Sequence, residues 1–419
     1  MSSIFRIFVA LMLVAVVTGC SAENRVGVRR MPFPGTGGSG GMADGNNRFA
    51  LEFYGKIRSG NEESNLFFSP VSISSALAMA YVGARGETAV EMERVLHYGK
   101  GPAEIAPAYH AFLESLLPGD VPVSGEGEPF SLAIANGLWV QRGFNLLDGY
   151  RQVLDRYFGA TAENLDFRND PEGARSRINE WVAEKTMDRI TDLVPPGMIG
   201  AMTRVVLTNA VYFKASWEFP FEEFMTSDER FLRNDGSVVE VPMMRHTEFY
   251  DYVEKPAYKA VKLPYEGGSA YMLIVLPEGD ILRFGENLDR DLLRTVEAGM
   301  ARTNLTLILP RFEFSCGTSL GSVLRDMGMG SAFDDRADFS GVTGRRDLFI
   351  SEVLHKAFVK VDEGGTEAAA ATAVVMNLTS MPEPALEMMV NRPFLFFIVD
   401  SDTRAILFMG RVMDPSAES

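Results

Sequence analysis

The chain is poor in cysteine, histidine and basic charge, and each shortage excludes something. Two cysteines in 419 residues, Cys20 and Cys316, leave no disulfide network and no metal site built on paired cysteines. His97, His110 and His246 are scattered without ligand spacing, so no metal site is expected. Lys and Arg number 40 against 56 Asp and Glu, a net charge of -16. The basic footprint that nucleic acid or a polyanion such as heparin needs is therefore missing. Long apolar runs are absent too. The stretch "IFVALMLVAVV" holds about eleven apolar residues, where a bilayer-spanning helix needs about twenty.

That short run reads as a targeting segment. Arg6 supplies a positive start, the apolar run follows, and "VTGC" resembles the bacterial lipobox, in which the Cys becomes the lipidated first residue. The expectation is a signal peptide over 1–19 and a lipid anchor on Cys20, which places the protein outside the cytoplasm on a bacterial membrane. Residues 20–44, rich in Gly, Pro and Ser without periodicity, read as a flexible tether. Two motifs inside it mislead. "GGSGG" (Gly37 to Gly41) matches a nucleophile elbow and "GTGGSG" (Gly35 to Gly40) a dinucleotide fingerprint, yet neither follows a strand nor opens a helix.

From 45 to 419 no linker or repeat interrupts the chain, which reads as one domain. Helical patterns appear at "NNRFALEFYGKI", "SISSALAMAYVGA" and "GARSRINEWVAEKTMDRI". Strand patterns include "SLAIANGLWVQ", "RVVLTNAVYFKASW", "AVKLPY", "AYMLIVLP", "NLTLILPRFEF", "HKAFVKVD" and "FLFFIVD…AILFMGRV". Helices crowd the first third and strands the rest, an α+β class with large antiparallel sheets.

Several segments, in order, resemble the serpin family: "NLFFSPVSISSALAMAYVGARGETAVEM", "LTNAVYFKASWEFPF", "VPMM", "LPRFEF", "ISEVLHKAFVKVDEGGTEAAAATA" and "RPFLFFIVDSDTRAILFMGRVMDP". The resemblance implies three β-sheets, about nine helices and an exposed reactive loop, here about 363–390. It implies a suicide inhibitor: a protease attacks the loop, forms an acyl-enzyme and is trapped as the cleaved loop inserts into the central sheet. The chain is then not an enzyme. It needs no cofactor, acts as a monomer, and has a target serine protease and a membrane as partners.

The stretch "GTEAAAATAVV" (Gly365 to Val375) fits that role. To join a sheet it must alternate faces. Thr366, Ala368, Ala370, Thr372 and Val374 share one face, uncharged and small until Val374. Glu367, Ala369, Ala371, Ala373 and Val375 share the other, so the one charge falls in the set expected to face solvent. Glu363-Gly364-Gly365 forms the pivot, with Gly364 where the family commonly has a larger residue.

Family spacing, counted from Gly365 and from "RPF" (Arg392 to Phe394), places the reactive bond at Thr379-Ser380, flanked by Met376, Asn377, Leu378 and Met381. Thr before the cut suits a shallow apolar pocket of an elastase-like or subtilisin-like enzyme. Leu378 keeps chymotrypsin-like and papain-like cysteine proteases open. The resemblance also assigns a sheet-opening switch to Ser69, Ser72, Asn209 and His355, and the point of first loop insertion to Trp217. In "INEWVAEKTMDRI", Met187-Asp188-Arg189 departs from the family's Asn-Gly-Lys. Two other readings remain: a non-inhibitory serpin acting as a binding module, and a hydrolase, whose only elbow motif lies in the tether.

Overall fold

The structure, a computed structural model, describes residues 41–116, 131–366 and 385–417. Ten α-helices and fifteen strands fall within them. The first helices are α1 (Met42–Ile57), α2 (Pro70–Gly83), α3 (Gly86–Leu96), α4 (Ile105–Leu116), α5 (Asp148–Phe158) and α6 (Pro171–Lys185). α1 starts earlier than its apolar periodicity indicates. Asp44 lies in its first turn and pairs with Arg48 and Arg290, which ties the end of the expected tether to the body.

α2 is apolar apart from three buried serines and almost wholly buried, as a helix at the centre of a fold must be. Its start is written locally: Pro70 takes the first turn, and the Ser69 hydroxyl accepts from the Ser72 N–H at 3.2 Å.

One sheet has six strands, in spatial order β10 (Phe312–Ser319), β11 (Ile350–Val361), β12 (Gly365–Thr366), β4 (Val205–Ser216), β2 (Ser131–Gln141) and β3 (Thr161–Leu165). The other path runs β1 (Leu66–Phe68), β15 (Ile406–Val412), β14 (Phe394–Asp400), β8 (Ala270–Pro277), β7 (Tyr258–Pro264), β6 (Val238–Lys255), β9 (Ala301–Pro310) and β13 (Leu386–Met389). β5 (Ser227–Leu232) adds to β6. The three expected sheets are thus present with two of them continuous. β6 is 18 residues long; its first part pairs with β5 and β9 and its end with β7, which joins the two sheets.

A seam runs through the six-stranded sheet. Over Ile350 to Ala357, β11 pairs directly and in parallel with Val205 to Val211 of β4. Higher up the two strands part and β12 lies between them. Thr366 pairs with Val361 on one side and Ala215 on the other, and Gly365 pairs with Ser216.

The main core lies on one face of this sheet, where Val211, Phe213, Ala215, Ala357, Val359 and Val361 point. The opposite face is half-open near Lys214 and Lys360. Lower down, Val206, Ala210 and Leu354 pack with Trp139 and Trp181 beneath α6. The face expected to meet solvent is therefore roofed along its lower half. Sequence alternation alone cannot show this, because α6 lies far away in the chain.

Candidate functional site

Two residue groups straddle the seam, one at its mouth and one midway down. At the mouth the pivot is clamped. Glu363 is buried and accepts from Arg311 Nε at 2.6 and 2.7 Å, from Arg311 Nη2 and from the Thr226 hydroxyl. Burial alone would raise its carboxyl pKa. The hydrogen bonds from Arg311 and Thr226 outweigh that and hold it below its ordinary value.

The backbone is held as well. The Phe221 N–H donates to the Glu363 carbonyl and the Trp217 N–H to the Gly364 carbonyl, both at 2.9 Å. Gly364 is outside the left-handed region, and its N–H caps the Asp362 carboxylate at 3.1 Å. Its φ is therefore not one that requires glycine.

Trp217 stands at this mouth. Its Nε1–H donates to the Asp362 carbonyl at 3.0 Å, and its ring stacks on Tyr265 at 4.7 Å and 9°. The Tyr265 hydroxyl meets the Thr366 hydroxyl at 2.7 Å, both residues buried. The first hinge residue is thus seated in the sheet by a side-chain bond.

Midway down, a polar chain crosses the seam through the core. The Ser69 hydroxyl donates to the Leu407 carbonyl at 2.7 Å, and the Ser69 N–H donates to His355 Nε2 at 3.2 Å. Nε2 is therefore an acceptor and the ring proton sits on Nδ1, which donates to Asn209 Oδ1 at 2.6 Å. Asn209 Nδ2 donates to Asn136 Oδ1, and Asn136 Nδ2 to the Ser75 hydroxyl, each at 2.8 Å. Five elements are linked: β15, α2, β11, β4 and β2. Burial pushes the His355 pKa down to about 3, so the ring is neutral at ordinary pH.

Ser69, Asn209 and His355 stand in one network. Ser72 enters it only through its backbone; its hydroxyl is buried without a partner. Sequence reasoning passed over Asn136, Ser75, Tyr265, Arg311 and Thr226. Asn136 alone carries a local signal, an amide inside the apolar run "SLAIANGLWV". The others depend on partners far off in the chain. The Ser69 hydroxyl faces a carbonyl and not the imidazole, so this pair is not a nucleophile and base.

The remaining histidines are separate: His97 meets Glu52, His110 the Tyr157 carbonyl, and His246 the Tyr250 hydroxyl. Among the described residues no group of three or more His, Cys, Asp or Glu could hold a metal ion. No described helix is long and apolar enough to cross a membrane. Glu367, Ala368, Ala369, Ala370, Ala371, Thr372, Met376, Asn377, Leu378, Thr379, Ser380, Met381 and Cys20 lie outside the described residues.

Comparison with known proteins places this geometry. A family model described as serpin (serine protease inhibitor) matches residues 44–415. An uncharacterised serpin-like protein of Thermococcus kodakarensis is 42% identical over 373 residues, 88% of this chain and 84% of its own. Human serpin B4 is 36% identical across 89% of this chain and 99% of its own, and rat leukocyte elastase inhibitor A is 35% identical with the same coverage. Among solved structures, uncleaved ovalbumin superposes with a TM-score of 0.81 at 26% identity, covering 90% of this chain and all of its own. Serpin48 of Tenebrio molitor superposes with a TM-score of 0.79 at 31% identity, covering 89% and 98%. This chain belongs to the serpin (serine protease inhibitor) family.

Proposed function

We propose that the chain is a suicide inhibitor of serine proteases that traps an acyl-enzyme at Thr379-Ser380 by drawing its cleaved loop into the seam between β11 and β4. The observation that carries this reading is the wedge at the mouth: Gly365 and Thr366 already pair with both flanking strands, which close on each other below.

Continuing both registers downward gives one consistent answer. Glu367 lands between Lys214 and Lys360, Ala370 between Val211 and Ala357, and Thr372 between Asn209 and His355. The sole charge of the stretch meets two lysines on the more open face. An alanine arrives between two fully buried core residues. A Thr hydroxyl, both donor and acceptor, arrives at the Asn209–His355 bond that insertion must break. At these three positions the composition of the stretch suits the proposed slot.

The chemistry belongs to the protease, whose nucleophile forms an ester with the Thr379 carbonyl and releases Ser380 as the new N-terminus. This chain contributes displacement. About fourteen residues at ~3.3 Å each carry the acylated end roughly 45 Å. Small, β-branched Thr379 favours an elastase-like or subtilisin-like target, and a rat relative named leukocyte elastase inhibitor supports that choice. Cys20 and the "VTGC" motif support a lipid anchor outside the cytoplasm, checked by palmitate labelling of wild type and Cys20→Ala.

The test is incubation with an elastase-like enzyme. A denaturant-resistant adduct with Thr379 at the junction supports the reading. Cleavage with no adduct refutes it.

A further inference from the structure

β15 carries a single charged residue, Arg411, and buries it completely. In the sheet it stands opposite Leu66 of β1 and Leu395 of β14, so its strand neighbours on both sides are apolar. An arginine keeps its charge in such a place, and a buried charge needs compensation. Nη2 has it: it donates to the Asn61 carbonyl and, at 3.0 Å, to the Ser64 carbonyl, both in the loop after α1. Nε and Nη1 are buried without a hydrogen-bond partner. Glu62, whose charge is felt by Arg411, is exposed and turns its carboxylate to the Gly60 N–H at 3.0 Å.

Two more donors gather here from α1. The Tyr54 hydroxyl is buried and unpartnered. Burial raises its pKa against the pull of Arg411 and Arg58, so both cations lie within electrostatic reach of this oxygen. Arg58, at the end of α1, uses Nη1 on the Leu282 carbonyl at 3.5 Å and on Glu286 at 3.9 Å; its Nε is again buried without a partner. Leu282 and Glu286 belong to α7 (Ile281–Glu286), which packs against this end of α1. α7 approaches through a glycine: a Cβ at Gly285 would stand 3.2 Å from the Tyr54 hydroxyl, so the space beside the phenol is narrow.

The groups left over are donors. Arg411 has three N–H bonds unused, Arg58 has one, and Tyr54 has its O–H. The Tyr54 oxygen can accept one of them, which still leaves at least three N–H bonds and the O–H in want of an acceptor. A water molecule would bring two further hydrogens to a place short of acceptors. A small anion brings none, and it offsets the buried charge. The narrowness beside Gly285 favours a single atom over a tetrahedral oxyanion.

We propose that Arg411, Tyr54 and Arg58 hold a halide ion between the end of α1 and β15, and that this ion fastens the strand to the helix. The site is separate from the seam and does not depend on loop insertion.

The test compares thermal unfolding of the protein in NaCl and in sodium gluconate at equal ionic strength, so that screening is matched. The wild-type midpoint should rise by about 2 °C or more in chloride and then saturate, as binding to the folded state alone requires. Tyr54→Phe removes one donor, and half of that rise should then need roughly tenfold more chloride. Crystals grown in NaBr should show an anomalous peak in contact with Arg411 Nη1 and the Tyr54 oxygen. Equal wild-type midpoints in the two salts overturn the proposal, as does an ordered water with no bromide at this place. A chloride response that Tyr54→Phe leaves unchanged also overturns it, since the ion then binds elsewhere.

Discussion

Placing an arginine at position 370 probes the slot directly. The substitution lies nine residues before the proposed reactive bond, so the protease should still bind and cut at Thr379. During insertion it must pass between Val211 and Ala357, both fully buried in the main core. Arginine stays charged under all ordinary conditions, and burying an unpaired charge costs several kcal/mol. Overfilling a tight core adds about 1–3 kcal/mol. A total near 5 kcal/mol slows insertion by more than about a thousandfold at 1.36 kcal/mol per decade. Deacylation then outruns it. The assay is the stoichiometry of inhibition with adducts counted on denaturing gels: Ala370→Arg should behave as a substrate, with cleavage at the wild-type rate and no adduct. The control is Ala369→Arg, whose slot neighbours are buried Tyr212 and half-buried Phe358 on the opposite face, from which a long side chain can extend toward the more open end at Lys214 and Lys360. It should keep trapping within about tenfold. Equal trapping by Ala370→Arg and wild type, or equal loss in both variants, refutes the assigned faces.

Other predictions concern the clamp, the network and α6. Glu363→Gln should lower the midpoint of thermal unfolding by an amount equivalent to about 1.5–3 kcal/mol, as charge-assisted bonds to Arg311 and Thr226 are lost. The Glu363 carboxyl is depressed in the folded state, so this difference is complete above its unfolded value of about 4.3 and disappears as pH falls through the folded value, which melting curves against pH read out. His355 is depressed to about 3, so only the unfolded chain takes its proton at mild acidity. Stability should fall below about pH 6.5 by up to ~1.4 kcal/mol per unit, and His355→Gln should flatten that slope. Tyr265→Phe keeps the stack on Trp217 and removes the bond to Thr366; amide exchange over 363–366 should rise about fivefold, and no rise would show that the hydroxyl does not seat the hinge. Met187 and Asp188 hold φ of 50° and 60°, and Asp188→Gly should raise stability by about 1 kcal/mol in denaturant melts.

That last pair shows what the sequence made readable. Met187 and Asp188 stand out as a departure from the family's Asn-Gly, and the structure gives both a left-handed backbone, the conformation Asn and Gly adopt with least strain. β8 was legible to the residue as "AYMLIVLP" because it is a short, wholly buried apolar run. α3, α4 and α5 carry amphipathic patterns that residue reading passed over. The continuity of two sheets was hidden because β6 mixes Pro242, charges and aromatics along its length without one period. The small-residue alternation of 366–375 is legible in the sequence itself, although from 367 on it lies outside the described residues. The Arg311–Glu363 clamp and the Tyr265–Thr366 bond were not, since their partners lie 52 and 101 residues apart and no local pattern announces them. The α6 roof over the lower slot was hidden for the same reason.

The central claim is that the seam between β11 and β4 accepts the cleaved loop as a full strand. Thermal unfolding of the protein before and after cleavage within 376–381 tests it most directly. The account predicts a large rise in the unfolding midpoint on cleavage, abolished by Ala370→Arg. An unchanged or lowered midpoint in cleaved wild type would contradict it.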